Sequence, residues 1–288
     1  MASLFPPVDP EQGLNPNRKG KRRPIPLRMI IPNMVTLLSL CAGLTAIRMT
    51  FEERYEIAIY AIFAAAILDS LDGRIARYLR STSKFGAELD SLSDFLSFGC
   101  APPILLYGWN LHSIKSFGWL AVIVFAIAGA LRLARFNVML NEEKPSWQAN
   151  FFVGMPIPAG ALVVLLPIYL DQIGITVPPQ LAPLVVVYVI VIAALMVSRV
   201  PTFSGKKLGR IRREYVLPLM LAVVLFFALL ASFPFEMLAA ISVAYLAYIP
   251  FGWRAWNRLA RAHGDLGQEL SLDVTVPDED ETGPADKS

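Results

Sequence analysis

Four aspartates carry the chemistry most plainly written in this sequence. Asp69 and Asp72 stand three apart and Asp90 and Asp94 four apart, within DSLDGRIARYLRSTSKFGAELDSLSD, where one strongly apolar segment ends and the next begins. Side chains three or four residues apart share a helix face, so each pair projects as a unit. An ionised carboxylate at membrane depth costs about 3 kcal/mol or more unless it is paired or bound to a cation. Four together also repel one another. A divalent-metal site built between two helices at the membrane surface removes both penalties, because hard cations such as Mg²⁺ or Mn²⁺ take oxygen ligands. Calcium fits less well, since a rigid helix pair offers few further carbonyls for its larger shell.

The residues between the acids point the same way. Gly73, Ala76 and Gly86 are small and let helices or a ligand approach closely. Arg77, one turn beyond Asp72 and Gly73, can meet a phosphate with its guanidinium fork. Ser83, with Thr82 beside it, can donate a hydroxyl hydrogen bond. Metal ligands, small residues and an arginine together suggest a pyrophosphate-bearing substrate at the membrane face. Any single aspartate here could merely end a helix as an interfacial charge; the interleaved set asks for more. An ion-coupled transporter remains the alternative from another class, because intramembrane carboxylates also mark ion pathways. Against it, transporter sites lie near the midplane between broken, repeated helices. These acids share one edge, and no internal repeat is visible.

The elements that must position them are membrane helices. The chain has 288 residues, 55% hydrophobic and only 17% charged, where a soluble domain carries about a quarter charged residues. Apolar runs approach the ~20 residues needed to cross a bilayer. The expected fold is all-α, a polytopic transmembrane bundle of about eight spans near 30–50, 56–78, 88–109, 117–139, 155–171, 181–199, 215–232 and 235–252. Gly99 and the Pro102–Pro103 pair are expected to break or kink the third. A Pro-rich, then basic tail (1–26) and a C-terminal tail (257–288, basic then acidic) flank a membrane catalytic domain (27–256), and both tails read as largely disordered. The opening residues lack a signal peptide's short apolar core and cleavage site, so the first span is expected to direct insertion. Arg18–Arg23, Arg74–Lys84, Arg132–Lys144 and Arg199–Arg213 carry the basic residues, and eight spans bring all of these segments to one face, which the positive-inside rule makes cytoplasmic. Trp109, Trp119 and Trp253 stand at segment edges, as interfacial aromatics do. Cys41 and Cys100 read as small buried hydrophobes rather than a disulfide or metal pair.

Asp69-x-x-Asp72-Gly73-x-x-Ala76-Arg77, eight residues, then Gly86-x-x-x-Asp90-x-x-x-Asp94 resembles, without departure, the signature of the CDP-alcohol phosphatidyltransferases. Within that family the chain is similar to the branch of integral-membrane phosphatidylserine synthases. That finer likeness rests on Ser97-Phe98-Gly99-Cys100-Ala101-Pro102, on Arg132-Leu133-Ala134-Arg135-Phe136-Asn137, and on Phe152-Val153-Gly154-Met155-Pro156-Ile157-Pro158. Pro32-Asn33-Met34-Val35-Thr36 resembles the family's first-helix motif near the nucleotide. The histidine–lysine motifs of the unrelated synthase type have no counterpart around His112 or His263.

The resemblance implies the family's helical fold and metal-dependent transfer of a phosphatidyl group from CDP-diacylglycerol to L-serine, releasing CMP. It makes Asp69, Asp72, Asp90 and Asp94 metal ligands for two ions, Mg²⁺ or Mn²⁺, with Asp94 also the general base. It places CDP-diacylglycerol against Gly73, Arg77 and Ser83, with Asn33 beside them. For Arg132 and Arg135, with Asn137, two readings stay open: they hold the serine carboxylate, or they are ordinary cytoplasmic anchors. Another acceptor (glycerol phosphate, inositol or choline) is the runner-up within the family. The basic run Lys206–Arg213 reads as an anchor for anionic lipid headgroups. A homodimer in a bacterial inner membrane, with active site and both termini cytoplasmic and no nucleic-acid partner, completes the expectation.

Overall fold

The computed structural model describes residues 27–81, 83–139, 151–198, 201–203, 215–251 and 254. The expected tails, Thr82, Lys144, Arg199, the Lys206–Arg213 run and Trp253 lie outside the described residues. Helical segments occupy all eight expected positions. They are α1 (Leu27–Phe51), α2 (Tyr55–Tyr78), α3 (Lys84–Asp94) leading into α4 (Ala101–Trp109), α5 (Ser116–Met139), the pair α6 (Ile157–Val164) and α7 (Leu166–Gln172), α8 (Ala182–Val197), α9 (Val216–Ser232) and α10 (Pro234–Phe251). Two three-residue strands, β1 (Phe151–Val153) and β2 (Pro201–Phe203), pair antiparallel with Phe152 opposite Thr202, a small departure from a wholly helical chain.

Four of these helices are long and apolar enough to cross a bilayer: Ile30–Phe51, Ser116–Val138, Pro179–Val197 and Pro234–Phe251. Ile157–Gln172 and Val216–Ser232 are apolar but shorter. α2 falls short in apolarity because Glu56, Asp69, Asp72, Arg74 and Arg77 lie along it. Large apolar side chains such as Leu38, Leu131, Leu184 and Val187 point outward all around the bundle, a surface that suits lipid and not water. The chain is an integral membrane protein.

The proline pair does not end the third segment. Asp94 passes directly into a π turn over Phe95–Cys100, and α4 follows with proline in its first turn. Proline has no N–H to donate and is tolerated where a helix begins. The π turn restarts the ladder with Ala101 N–H donating to Leu96 O, five residues back. The expected break or kink thus takes the form of a local re-registration of the ladder. The cysteines also differ in part from expectation: both are free thiols, but Cys100 is only half-buried and Cys41 faces outward.

α1 lies in the seam between α2 and the α3–α4 rod. Ser39 Oγ donates to Ala65 O of α2 (3.0 Å), and Thr36 Oγ1 reaches Asp72 farther along it. On its other side α1 runs parallel to α3–α4 and meets it at four levels. Asn33 packs on Gly86, the Thr36 carbonyl accepts from Ser93 Oγ (3.2 Å), Gly43 packs on Ser97, and Thr50 packs on Gly108. A methyl carbon on Gly43 would sit 2.8 Å from Ser97 Cα, so only glycine allows this approach. Tyr55 Oη donates to Gly108 O (3.0 Å), joining the start of α2 to the end of α4. The two carriers of the aspartates are therefore antiparallel, with the acids gathered at the opposite end. Behind them, Phe98, Leu105, Leu106, Phe125, Ile168 and Tyr169 are wholly buried, where the π turn and α4 pack with α5–α8.

Candidate active site

The turn between α2 and α3 builds one wall of the site. Arg80 adopts a left-handed φ of 49°, while Arg80 N–H donates to Arg77 O and Ser81 N–H to Ala76 O. That pair of bonds closes the end of α2 in the Schellman manner. Ser83, in extended conformation, then caps α3 by accepting from Gly86 N–H (3.0 Å). Among the described residues its own hydroxyl proton has no acceptor. The chain has reversed within five residues, and the two aspartate pairs face one another.

Asp69, Asp72 and Asp90 each bring a carboxylate oxygen within 4.8 Å of the others. Asp94 lies within hydrogen-bonding reach of Asp69. Asp72 is 5% exposed; it accepts from Thr36 Oγ1 (2.7 Å) and from Gly73 N–H. Among the described residues the ion pairs are Arg48–Glu52 and Arg54–Glu52, at the far end of α1, so no salt bridge neutralises the cluster there. Three convergent carboxylates with no salt-bridge partner among the described residues are a donor set that fits a hard divalent ion.

Beside the cluster opens a cleft of about 560 Å³, counted out to its mouth. It brings together Asn33, Gly73, Arg77 and Ser83 with Asp72 and Asp90. The two glycines do different things. A Cβ on Gly86 would lie 2.9 Å from Asn33 Oδ1 and 3.1 Å from Ser83 Oγ, so this glycine lets the walls meet. Gly73 has nothing within 4 Å of its Cβ position and leaves open space in the cleft. Arg77 is exposed, with its Nε donating to Gly73 O (3.1 Å).

The two arginines of α5, Arg132 and Arg135, divide in their surroundings. Arg132 is 8% exposed, lies 5.3 Å from the Phe136 ring centroid, and is within electrostatic range of Asp94 on α3 and Tyr245 on α10. Arg135 is turned to α8 instead. Its guanidinium donates to Val197 O (2.7 Å), Ser198 O (3.2 Å) and Met196 O (3.4 Å), covering carbonyls that the helix end leaves unpaired. Gly154, at φ 78°, packs into the same corner, where a Cβ would meet Met196 O and Ser198 O at 2.8 Å. Asn137 Nδ2 donates to Ser91 Oγ (3.0 Å), tying α5 to α3. Neither arginine lines the cleft that holds Arg77. Thr36 is marked in the sequence only as the last residue of the first-helix motif, and Ser93 is not marked at all. Each carries a hydroxyl that faces a neighbouring helix, which spacing alone does not reveal.

Comparison with known proteins agrees with this geometry. Residues 29–200 match the family model described as CDP-alcohol phosphatidyltransferase, and residues 214–250 match one described as CDP-alcohol phosphatidyltransferase 2. A curated relative from Mycobacterium leprae, named CDP-diacylglycerol–serine O-phosphatidyltransferase, is 39% identical over 239 residues, 82% of this chain and 78% of its own. One from Helicobacter pylori with the same name is 34% identical over 230 residues, 80% of this chain and 93% of its own. A Bacillus subtilis relative, again so named, is 38% identical over 137 residues, 47% of this chain and 74% of its own. Paired aspartates on antiparallel helices, and a family match running from α1 past the end of α8, lead to one conclusion: the chain belongs to the CDP-alcohol phosphatidyltransferase family.

Proposed function

We propose that the protein is a CDP-diacylglycerol–serine O-phosphatidyltransferase, which moves the phosphatidyl group from CDP-diacylglycerol to the hydroxyl of L-serine and releases CMP. The relatives' names support the reaction and the acceptor. The observation that carries it is the carboxylate cluster with an open cleft beside Arg77 and a buried arginine, Arg132, within range of Asp94.

In this reading the pyrophosphate and cytidine lie in the cleft, with Arg77 against phosphate oxygens, the Ser83 hydroxyl and Asn33 amide as further polar partners, and Gly73 giving room. Asp69, Asp72, Asp90 and Asp94 would hold two divalent ions. When bound, such ions neutralise the pyrophosphate and ease departure of CMP. Asp94 takes the proton of the serine hydroxyl. The serine oxygen–phosphorus bond forms on the phosphorus bearing diacylglycerol, and the bond from that phosphorus to the bridging oxygen of CMP breaks. Arg132 pairs with the serine carboxylate, which glycerol, inositol and choline headgroups lack. Arg135, engaged by three carbonyls, braces the wall on which Arg132 stands. The acyl chains stay in the bilayer against the outward apolar surface.

The domain 27–256 is the catalytic unit between the two tails. All eight helical segments cross a bacterial inner membrane, with the site and both termini on the cytoplasmic side that the basic loops favour, and the enzyme works as a homodimer. The test is CMP release by purified protein with CDP-diacylglycerol and Mn²⁺ or Mg²⁺, offering serine, glycerol 3-phosphate, inositol and choline separately, with an EDTA control. Serine-dependent, EDTA-sensitive release is expected. Release with another acceptor alone would keep the site chemistry and overturn the serine assignment.

A further inference from the structure

We propose that Thr36 is the positioning residue of the carboxylate cluster: from α1, its hydroxyl fixes the Asp72 carboxylate in the orientation it shares with Asp69 and Asp90. Thr36 is 4% exposed and Asp72 5%. The hydroxyl donates to Asp72 Oδ2 at 2.7 Å, with Pro32 O also near at 3.2 Å. A hydrogen bond to an ionised acceptor is short and stronger than a neutral one, so it selects one carboxylate rotamer over others. The same residue reaches the other carrier helix through its backbone. Its carbonyl accepts from Ser93 Oγ at 3.2 Å, one residue before Asp94 and three after Asp90. Thr36 therefore touches both helices that carry the acids, and no other side chain is seen to hold Asp72 among the described residues.

A metal ligand held by a neighbouring hydrogen bond binds better because its orientation is set beforehand. Loss of such a partner typically costs 10–100-fold in metal affinity. The inference rests on the metal-dependent reading above. Its test is binding of Mn²⁺ alone to the purified full-length protein, followed by the loss of the free Mn²⁺ paramagnetic signal, with no substrate present. Thr36→Val keeps the shape and removes the donor, Thr36→Ala removes more, and Thr36→Ser restores the hydroxyl. The expected result is roughly tenfold or greater weakening of Mn²⁺ binding in the valine and alanine variants, with recovery in the serine variant. At saturating Mn²⁺ the KM for serine should stay near that of the wild type. Wild-type affinity in either Thr36→Val or Thr36→Ala, or failure of Thr36→Ser to recover, overturns the positioning role. If the unaltered protein does not bind Mn²⁺, the metal site itself falls and the inference with it.

Discussion

Gly43→Ala tests whether close approach of α1 to the π turn sets the geometry of the site. The added carbon would lie 2.8 Å from Ser97 Cα and 2.9 Å from Ser97 Cβ. Ordinary carbon contacts lie at about 3.5–4.0 Å, so the two backbones must part by roughly 1 Å. A change of rotamer cannot relieve a clash with a Cα. Overpacking of this kind costs about 1–3 kcal/mol. Ser97 stands three residues beyond Asp94, and its hydroxyl donates to Ser39 O on α1 (3.2 Å). Displacing it therefore moves Asp90 and Asp94 against Asp69 and Asp72. Misplacement of reacting groups by 1 Å costs on the order of 100-fold in rate. Thermal unfolding in detergent and kcat for CMP release are the two readouts. Both should fall, with kcat down by roughly 10–100-fold and unfolding several degrees lower, about 2–4 °C per kcal/mol. Gly73→Ala is the control, because nothing lies within 4 Å of its Cβ position. It should leave the unfolding temperature unchanged and raise the KM for CDP-diacylglycerol. A Gly43→Ala protein with wild-type stability and turnover would refute the reasoning.

Asp94→Asn should abolish turnover while CDP-diacylglycerol binding is largely kept, measured by nucleotide-lipid binding beside CMP release; near-normal activity would remove Asp94 from the mechanism. Arg132→Ala should raise the KM for serine at least tenfold with little change in the KM for the lipid, whereas Arg135→Ala should lower thermal stability by about 1–3 kcal/mol through loss of its bonds to α8. Equal kinetic and stability effects in the two variants would overturn that division. Ser83→Ala removes the cap of α3 and should cost about 1 kcal/mol of stability, together with a raised KM for CDP-diacylglycerol if the hydroxyl also meets substrate.

Much of the site was legible because helical spacing is local. Asp69 with Asp72, and Asp90 with Asp94, share faces by chain geometry alone, and a short reversal between their helices leaves few ways to arrange them. The eight helical positions followed from apolar run lengths for the same reason. What escaped depends on distant partners. Thr36 closes the Pro32–Thr36 motif, but nothing in that motif points to its partner Asp72, 36 residues on. The bonds of Arg135 go to backbone carbonyls 61–63 residues away, and carbonyls leave no mark in side-chain patterns. The proline pair was legible only in part. With Gly99 it marked a break or kink in the third segment, but that the interruption is a π turn over Phe95–Cys100 is a property of the backbone ladder rather than of any residue type.

The central claim is that this cluster performs metal-dependent transfer of a phosphatidyl group to serine. Its most direct test follows radiolabelled L-serine into organic-extractable lipid while CMP is counted in the same reaction. With CDP-diacylglycerol and Mn²⁺ the account predicts label in lipid and CMP in equal amounts, both abolished by EDTA. CMP formed without labelled lipid, or labelled serine crossing a proteoliposome membrane with no CMP formed, would contradict it.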